Sequence, residues 1–177
     1  MNISKKQSLL MLSVASLFSL VACQSMEQGT GQKASASLES KSGSQAKGEV
    51  TFVWQGHDVL INGKFSGLKP NSEQGFHVHE KGDCSSPDAM SAGPHFNPDT
   101  KMHGVPDSGM NHAGDMPNIK ADANGNATYT AKLHGFAVNT GSTGIVGRAV
   151  VVHRDPDDYK SQPAGNSGPR IACGLIK

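Results

Sequence analysis

Residues 75–115, GFHVHEKGDCSSPDAMSAGPHFNPDTKMHGVPDSGMNHAGD, are the stretch around which this chain is organised. The stretch contains five of the chain's eight histidines and one of its three cysteines. His77 and His79 lie two positions apart in a β-type tripeptide, and alternate residues of a strand point to the same face. Both imidazoles are therefore expected to leave one face of a strand, roughly 7 Å apart at the backbone, where they can converge on one ion.

A second set of candidate ligands follows in a region rich in glycine and proline. Between the strand that ends near Glu80 and the next candidate strand near Met116, about 35 residues show neither helical nor strand periodicity, and so long a loop in a compact domain is usually functional. Three imidazoles and one carboxylate make a complete tetrahedral zinc set. The sequence therefore predicts a metal-binding loop with the ligands His95, His103, His112 and Asp115.

The first 22 residues have the features of a targeting segment. Lys5 and Lys6 precede an apolar run that is too short to span a bilayer. The run ends in Leu-Val-Ala-Cys at residues 20–23, which resembles the bacterial lipobox. We expect residues 1–22 to be a lipoprotein signal peptide and Cys23 to carry lipid as the first mature residue. An ordinary signal peptide that contains a cysteine is the alternative.

The mature chain is expected to be exported, with a tether ahead of one folded domain. Residues 23–32 are polar and rich in Gly, Ser and Gln, which is typical of a flexible linker. Gln24 is not the aspartate that commonly retains lipoproteins at the inner membrane, so we expect a periplasmic protein attached to the outer membrane. Residues 33–177 are long enough for one domain with one core.

The charge of the chain argues against a nucleic-acid partner. The full sequence has 16 Lys and Arg against 15 Asp and Glu, and removal of the two lysines of the signal peptide changes the formal net charge from +1 to −1. No basic field remains that could attract a polyanion. We therefore expect no nucleic-acid binding, and contact with a membrane only through the lipid anchor.

The predicted secondary structure of the domain is entirely β. Short alternating segments are separated by Gly, Pro and Asn, no long amphipathic helix is present, and Asn124-Gly125 between two β-like runs is a strong hairpin signal. This pattern favours an antiparallel sandwich or barrel. The eight predicted strands are 34–38, 49–54, 57–68, 75–80, 116–122, 127–134, 147–153 and 170–176.

Two residues near the C-terminus, His153 and Cys173, add to the candidate site. His153 ends the apolar run 150–152, and together with His77, His79 and one shared histidine it would form an all-imidazole site, which suits copper. Cys84 and Cys173 are the other two cysteines, and in an oxidising compartment a disulfide between them is the default expectation. Such a disulfide would join the metal loop to the last strand.

The motifs GFHVHE, SAGPHFNP, GRAVVVH and PRIACGLI, in this order, closely resemble those of the copper–zinc superoxide dismutase family. The resemblance covers about residues 33–177. It implies an eight-stranded Greek-key barrel with long metal-binding and channel loops. It also implies copper bound by His77, His79, His95 and His153, and zinc bound by His95, His103, His112 and Asp115, with His95 as the bridging imidazolate.

The resemblance also assigns an activity and supporting residues. The implied enzyme is a superoxide dismutase, which converts the small anion superoxide to oxygen and hydrogen peroxide. Asp157 matches the aspartate that links His77 to His103, and Arg170 matches the arginine beside the copper. The sequence departs from those members that have threonine at the position of Ala164. Its interval between Cys84 and His95 is also longer than in many members.

One alternative function from another class is an exported copper/zinc buffer or chaperone-like protein without catalytic activity. A buffer needs ligands, but it has no use for an arginine that guides an anion or for a carboxylate that joins the two sites. Arg170 and Asp157 therefore favour the enzyme. His57 and His134 are interpreted as ordinary surface or hairpin residues. The resemblance leaves the oligomeric state open, with a homodimer as one candidate.

Overall fold

The computed structural model describes residues 31–139 and 141–177, and these residues are almost entirely β-structure. A single turn of 3₁₀ helix, Met90–Ala92, is the one helical element within those two ranges. The strands are β1 (Lys33–Ser40), β2 (Lys47–Trp54), β3 (Val59–Ser66), β4 (Glu73–Gln74), β5 (Phe76–His79), β6 (Ile119–Lys120), β7 (Ala127–Leu133), β8 (Ala149–His153) and β9 (Arg170–Leu175).

Seven strands form an antiparallel sheet in the order β5-β8-β9-β1-β2-β3-β7, and β4 pairs with β6 in a second, two-stranded sheet. Strand β1 joins the two halves of the large sheet, because residues 33–38 pair with β2 and Glu39 and Ser40 pair with β9. The connection from β7 to β8 crosses between strands that are not neighbours, which is a Greek-key feature. The predicted all-β, antiparallel Greek-key class is thus confirmed.

The core lies between the inward faces of these strands. Residues of β1 alternate between exposed and buried, and the buried Ala34, Ala36 and Leu38 face the core. Strands β5 and β8, by contrast, are buried on both faces. Phe76 and Val78 pack in the core cluster, so the alternation of β5 directs the two intervening histidines to the opposite side. The strand therefore separates the apolar core from the histidine site.

Two strand predictions need correction. The described residues form nine strands rather than eight, because β4 is not among the predicted strands. The predicted strand over residues 116–122 is reduced to β6, which pairs with β4 rather than with β7. The Asn-Gly turn itself is present, because the Asp122 amide donates to the Asn126 carbonyl at 2.8 Å. The backbone amide of Asn118, however, donates to the Tyr159 hydroxyl at 2.8 Å. Contacts to the loop that follows β8 thus replace the expected hairpin ladder.

The long loop of residues 80–118 is docked on β5 through its own backbone. The Val78 amide donates to the Gly114 carbonyl at 2.9 Å, and the Val78 carbonyl accepts from the Phe96 amide at 2.8 Å. Phe96 and Gly114 also bond each other at 2.8 Å. A Cβ atom on Gly114 would lie 2.2 Å from the Val78 carbonyl oxygen, so the backbones approach this closely only because residue 114 is glycine.

The predictions for the N-terminus lie outside the described residues. The signal peptide 1–22, the lipidated Cys23 and most of the tether precede Gly31, where the description begins. Gln32 already belongs to the fold, since its carbonyl accepts from the Trp54 amide at 2.8 Å. Among the described residues, no helix has the length and apolar character required to cross a membrane.

Replacing Gly114 by alanine is expected to destabilise the docked loop. The added methyl group meets backbone atoms that cannot move independently, and overpacking of this kind costs about 1–3 kcal/mol. Gly104→Ala is the matched control in the same loop, because its nearest contact would be an ordinary 3.6 Å. Denaturant unfolding of the metal-free proteins measures both effects. Equal stability of the two variants would contradict this account of Gly114.

Candidate metal centre

A first cluster consists of four buried histidines whose ligand atoms all lie within 4.8 Å of one another. Two of them come from β5, where the alternation of the strand directs both rings to one side. His153 ends the neighbouring strand β8, and a register shift between Val152 and His153 accompanies its placement. The fourth comes from the long loop, which reaches β5 through a bridge between residues 79 and 95. The members are His77, His79, His95 and His153.

Hydrogen bonds to the outer nitrogens aim three of these rings. His77 Nε2 donates to Asp157 Oδ2 at 2.7 Å, and His79 Nδ1 donates to the Gly93 carbonyl at 2.8 Å. His153 Nδ1 donates to the Gly168 carbonyl at 3.1 Å. Because one nitrogen of each neutral ring carries the proton, the other is left as a lone-pair donor that points into the cluster.

The inward nitrogens have the surroundings that a bound cation would require. His77 Nδ1 and His95 Nε2 are buried and have no hydrogen-bond partner. The Nε2 atoms of His79 and His153 face each other at 3.3 Å, although both outer nitrogens already hold the protons. Buried polar atoms are almost always paired, so these converging lone pairs fit a metal ion. Four imidazoles with no carboxylate suit copper.

A second cluster is built around one carboxylate oxygen. Asp115 Oδ1 lies 2.9 Å from His95 Nδ1, 3.1 Å from His103 Nδ1 and 3.4 Å from His112 Nδ1. These four residues are buried, and their ligand atoms also lie within 4.8 Å of one another. Three imidazoles and a carboxylate are a zinc set. His95 belongs to both clusters, with one ring nitrogen directed to each.

The electrostatics of the two clusters differ. In the first cluster, burial lowers the pKa of His77 and His79 well below the usual range, and it lowers the pKa of His153 to about 3. These rings are therefore neutral and available as ligands at physiological pH. In the second, burial also disfavours charge on His103, but Asp115 and Asp157 outweigh it and raise its pKa to about 9. The second cluster thus favours positive charge.

Asp157 connects the two clusters from behind. Its Oδ2 accepts from His77 Nε2 at 2.7 Å and its Oδ1 accepts from His103 Nε2 at 2.9 Å. Its backbone is held by the Asn118 side chain, which accepts from the Asp157 amide and donates to its carbonyl, both at 3.0 Å. A Cβ atom on Gly165 would lie 1.8 Å from Oδ1, so this position has no room for a side chain.

Arg170 lies at the edge of a cavity that leads to the first cluster. Its guanidinium donates to the Ala89 carbonyl at 2.7 Å and to the Gly93 carbonyl at 2.6 Å. The Gly93 carbonyl is also the acceptor for His79, so one carbonyl orients both side chains. The cavity has a volume of about 750 Å³, and its lining includes His95, His153, Ala164 and Arg170.

The disulfide fixes the segment that holds Arg170. Cys84 and Cys173 are bonded, with their Cα atoms 5.8 Å apart and a sequence separation of 89. Cross-links that close a ring of about this size stabilise a fold by roughly 4–5 kcal/mol on the chain-entropy account. Ala89, in the segment that follows Cys84, adopts a left-handed conformation with φ of 57° and presents its carbonyl to Arg170.

The structure brings together all the metal ligands that the sequence analysis names, and it places Asp157 and Arg170 beside them. His57 and His134 lie outside both clusters. Sequence reasoning missed the Gly93 carbonyl, the Asn118 side chain and Gln162, whose side-chain amide binds both the amide and the carbonyl of His103, at 2.9 and 2.8 Å. No sequence signal distinguishes these residues, because their role depends on backbone groups that are distant along the chain.

Comparisons with known proteins identify the family that shares these features. The profile of the family described as copper/zinc superoxide dismutase matches residues 46–176. Superoxide dismutase [Cu-Zn] 1 of Aquifex aeolicus is 44% identical over 134 residues, which cover 73% of this chain and 79% of that protein. Superoxide dismutase [Cu-Zn] 2 of Brassica juncea is 44% identical over 151 residues, which cover 81% and 96%.

A solved structure shows the same likeness in three dimensions. The crystal structure of the clock protein EA4 superimposes with a TM-score of 0.75 at 40% sequence identity. The match covers 84% of this chain and 95% of that chain.

Replacing Asp157 by asparagine should weaken both metal sites at once. The amide has one acceptor oxygen, and its NH₂ group would face an imidazole N–H of His77 or His103. Loss of such a supporting carboxylate typically lowers metal affinity about 10–100-fold. Competition with chelators of known affinity measures this for copper and zinc separately. Asp155→Asn is the control, since Asp155 pairs with Arg154 at the surface; an effect on one metal alone would contradict the bridging role.

Proposed function

The chain belongs to the copper/zinc superoxide dismutase family, and from this premise we propose that it dismutates superoxide as an exported, lipid-anchored enzyme. The reaction consumes two superoxide anions and two protons and yields one oxygen and one hydrogen peroxide. His77, His79, His95 and His153 form the copper site, and His95, His103, His112 and Asp115 form the zinc site. The observation that carries the activity is His95, a single ring shared by both sites.

The metals and the protein have separate tasks. When bound, copper would supply one-electron transfer by alternating between Cu(II) and Cu(I), and redox-inert zinc would be held by the second cluster, which includes His95. The chain's own contribution is a proton carrier. His95 keeps Nδ1 in the zinc cluster, so Nε2 can take up a proton and donate it to the peroxide that is being formed. His95 is buried but lines the cavity, so substrate and a solvent proton can reach it by that route.

Arg170 has the position and chemistry to guide the substrate. A guanidinium stays charged at physiological pH, although burial lowers the pKa of Arg170 somewhat. Two carbonyls fix it at the cavity edge, and one of them is shared with the copper ligand His79. This arrangement supports a role in which Arg170 attracts superoxide and orients it towards the copper. A metal buffer would gain nothing from a cation fixed beside its copper site.

Arg170→Ile is expected to lower the rate constant for superoxide about tenfold while both metals stay bound, because local charge steering contributes at least that factor. The wild-type rate should also fall as ionic strength rises, and the variant rate should fall less steeply, because salt screens an attraction that the variant has partly lost. Pulse radiolysis on metal-loaded protein across a salt series measures both rates.

The control for this experiment is Arg154→Gln, which removes the same charge from a surface arginine paired with Asp155. It should keep the wild-type rate and salt slope. Equal rates and slopes for wild type and Arg170→Ile would show that Arg170 does not guide substrate, and they would favour the metal-buffer alternative. Metal analysis of each sample separates this outcome from loss of copper.

The exported, lipid-anchored form is proposed from sequence. The supporting features are the basic start, the short apolar run and the Leu-Val-Ala-Cys motif of residues 20–23. Residues 23–32 would then act as a tether that holds the enzyme in the periplasm at the outer membrane. Gln24 supports this location, because it is not the aspartate that retains lipoproteins at the inner membrane. A homodimer remains a prediction from the resemblance, and sedimentation of the purified domain determines it.

Cys23→Ser should release soluble protein or leave the unprocessed precursor, because the serine cannot receive the thioether-linked lipid. Membrane fractionation and intact mass of the mature protein measure this. Gln24→Asp tests the sorting step separately: the lipidated protein should then stay with the inner membrane. Unchanged fractionation and mass for Cys23→Ser would refute the anchor.

A further inference from the structure

His134, which directly follows β7, has a carboxylate at each ring nitrogen. Its Nδ1 lies 2.9 Å from Asp107 Oδ2, and its Nε2 lies 2.9 Å from Asp58 Oδ1. The backbone amide of His134 also donates to Asp107 Oδ1 at 3.2 Å. Asp58 belongs to the turn between β2 and β3, whereas Asp107 belongs to the long loop, so three distant parts of the chain meet at one imidazole.

The geometry requires a charged ring. A neutral imidazole has one N–H and can donate to one of these carboxylates only, whereas the imidazolium donates to both. The other charged or titratable groups that face this ring are Lys132, which pairs with the second oxygen of Asp58, and His57, whose ring centroid lies 6.4 Å away. The hydrogen bond to Asp107 and the charges of the two carboxylates raise the pKa of His134 despite Lys132.

The contact acts on the part of the long loop that carries zinc ligands, residues 103–115, which we call the zinc loop. Asp107 lies between His103 and His112 and has a left-handed backbone with φ of 58°, an uncommon conformation for a non-glycine residue. Next to His134, Gly135 packs so closely on Ala113 that a Cβ atom would lie 3.0 Å from its carbonyl oxygen. The end of β7 thus contacts the zinc loop on both sides of His112.

We propose that His134, in its imidazolium form, is a positioning residue that latches the zinc loop to the end of β7 and slows the loss of zinc. The proposal rests on the proposed function only in that the second cluster holds zinc. Loss of the proton leaves the ring with a single N–H, so it can no longer donate to Asp107 and Asp58 at once, and its contact with Asp107 loses the attraction between opposite charges. The latch therefore holds below the raised pKa of His134 and weakens as the pH rises through it.

The test measures zinc release from the copper- and zinc-loaded protein to a metallochromic chelator. His134→Gln stays neutral at every pH, and it should release zinc about three- to fivefold faster than wild type near pH 6.5, a factor that corresponds to one exposed ionic contact. As the pH rises towards 9.5, the ratio of the two rates should fall to one. Asp107→Asn, which is nearly isosteric, should show the same convergence.

Two controls make the result decisive. Asp99→Asn removes an ion pair with Lys101, which lies in the same long loop but does not link it to β7. This variant should release zinc at the wild-type rate. Titration of His134 by NMR should give a pKa above the ordinary value in wild type and a lower one in Asp107→Asn.

Three results would overturn the latch. They are an unchanged release rate in both His134→Gln and Asp107→Asn, a ratio that does not depend on pH, and an equal acceleration in Asp99→Asn. A wild-type protein that binds no zinc would instead refute the proposed function, so the two failures are distinguishable.

Discussion

The structure depends on a constraint that applies to every buried polar atom: it must find a partner. In the first cluster, four imidazole nitrogens point at a common volume and no protein group completes them. Every outer nitrogen there faces a fixed acceptor or the neighbouring cluster, so the rings cannot turn away to satisfy themselves. Metal ions are the partners that complete the inward nitrogens, and much of the surrounding structure serves to aim them.

The fold provides this aim at two levels. Backbone pairing of Val78 with Gly114 and Phe96 carries the long loop onto β5, which places loop histidines beside strand histidines. Side-chain hydrogen bonds then orient individual rings, and Asp157 couples one ring of each site through a single buried carboxylate. Asn118 fixes the backbone of Asp157, so a change that displaces Asp157 would disturb both metal sites together.

The fold class, the pair His77 and His79, and the zinc series could be predicted from local patterns, whereas the complete copper set and the shared role of His95 were implied by the family resemblance. The His-x-His pair follows from strand alternation, and the ligand series stands out in a loop without periodicity. The role of the Gly93 carbonyl could not be predicted, since any residue has a carbonyl and only the folded chain brings this one to His79 and Arg170. The pairing of β6 with β4 was missed for the same reason, because the turn at Asn124-Gly125 predicts a hairpin but not the competing contacts of Asn118.

The charge distribution explains how a nearly neutral chain can favour an anionic substrate. The formal net charge is +1 for the full sequence and would be −1 without residues 1–22, so neither form has a long-range attraction, and at physiological ionic strength any field is screened within about 8 Å. Attraction must therefore act at the cavity itself. Arg170 and Arg148 both line it, together with one acidic residue, Glu80, and the neutral imidazoles of the first cluster add no negative charge. The carboxylates Asp115 and Asp157 lie behind the histidines, fully buried, where they balance the metals rather than repel the substrate.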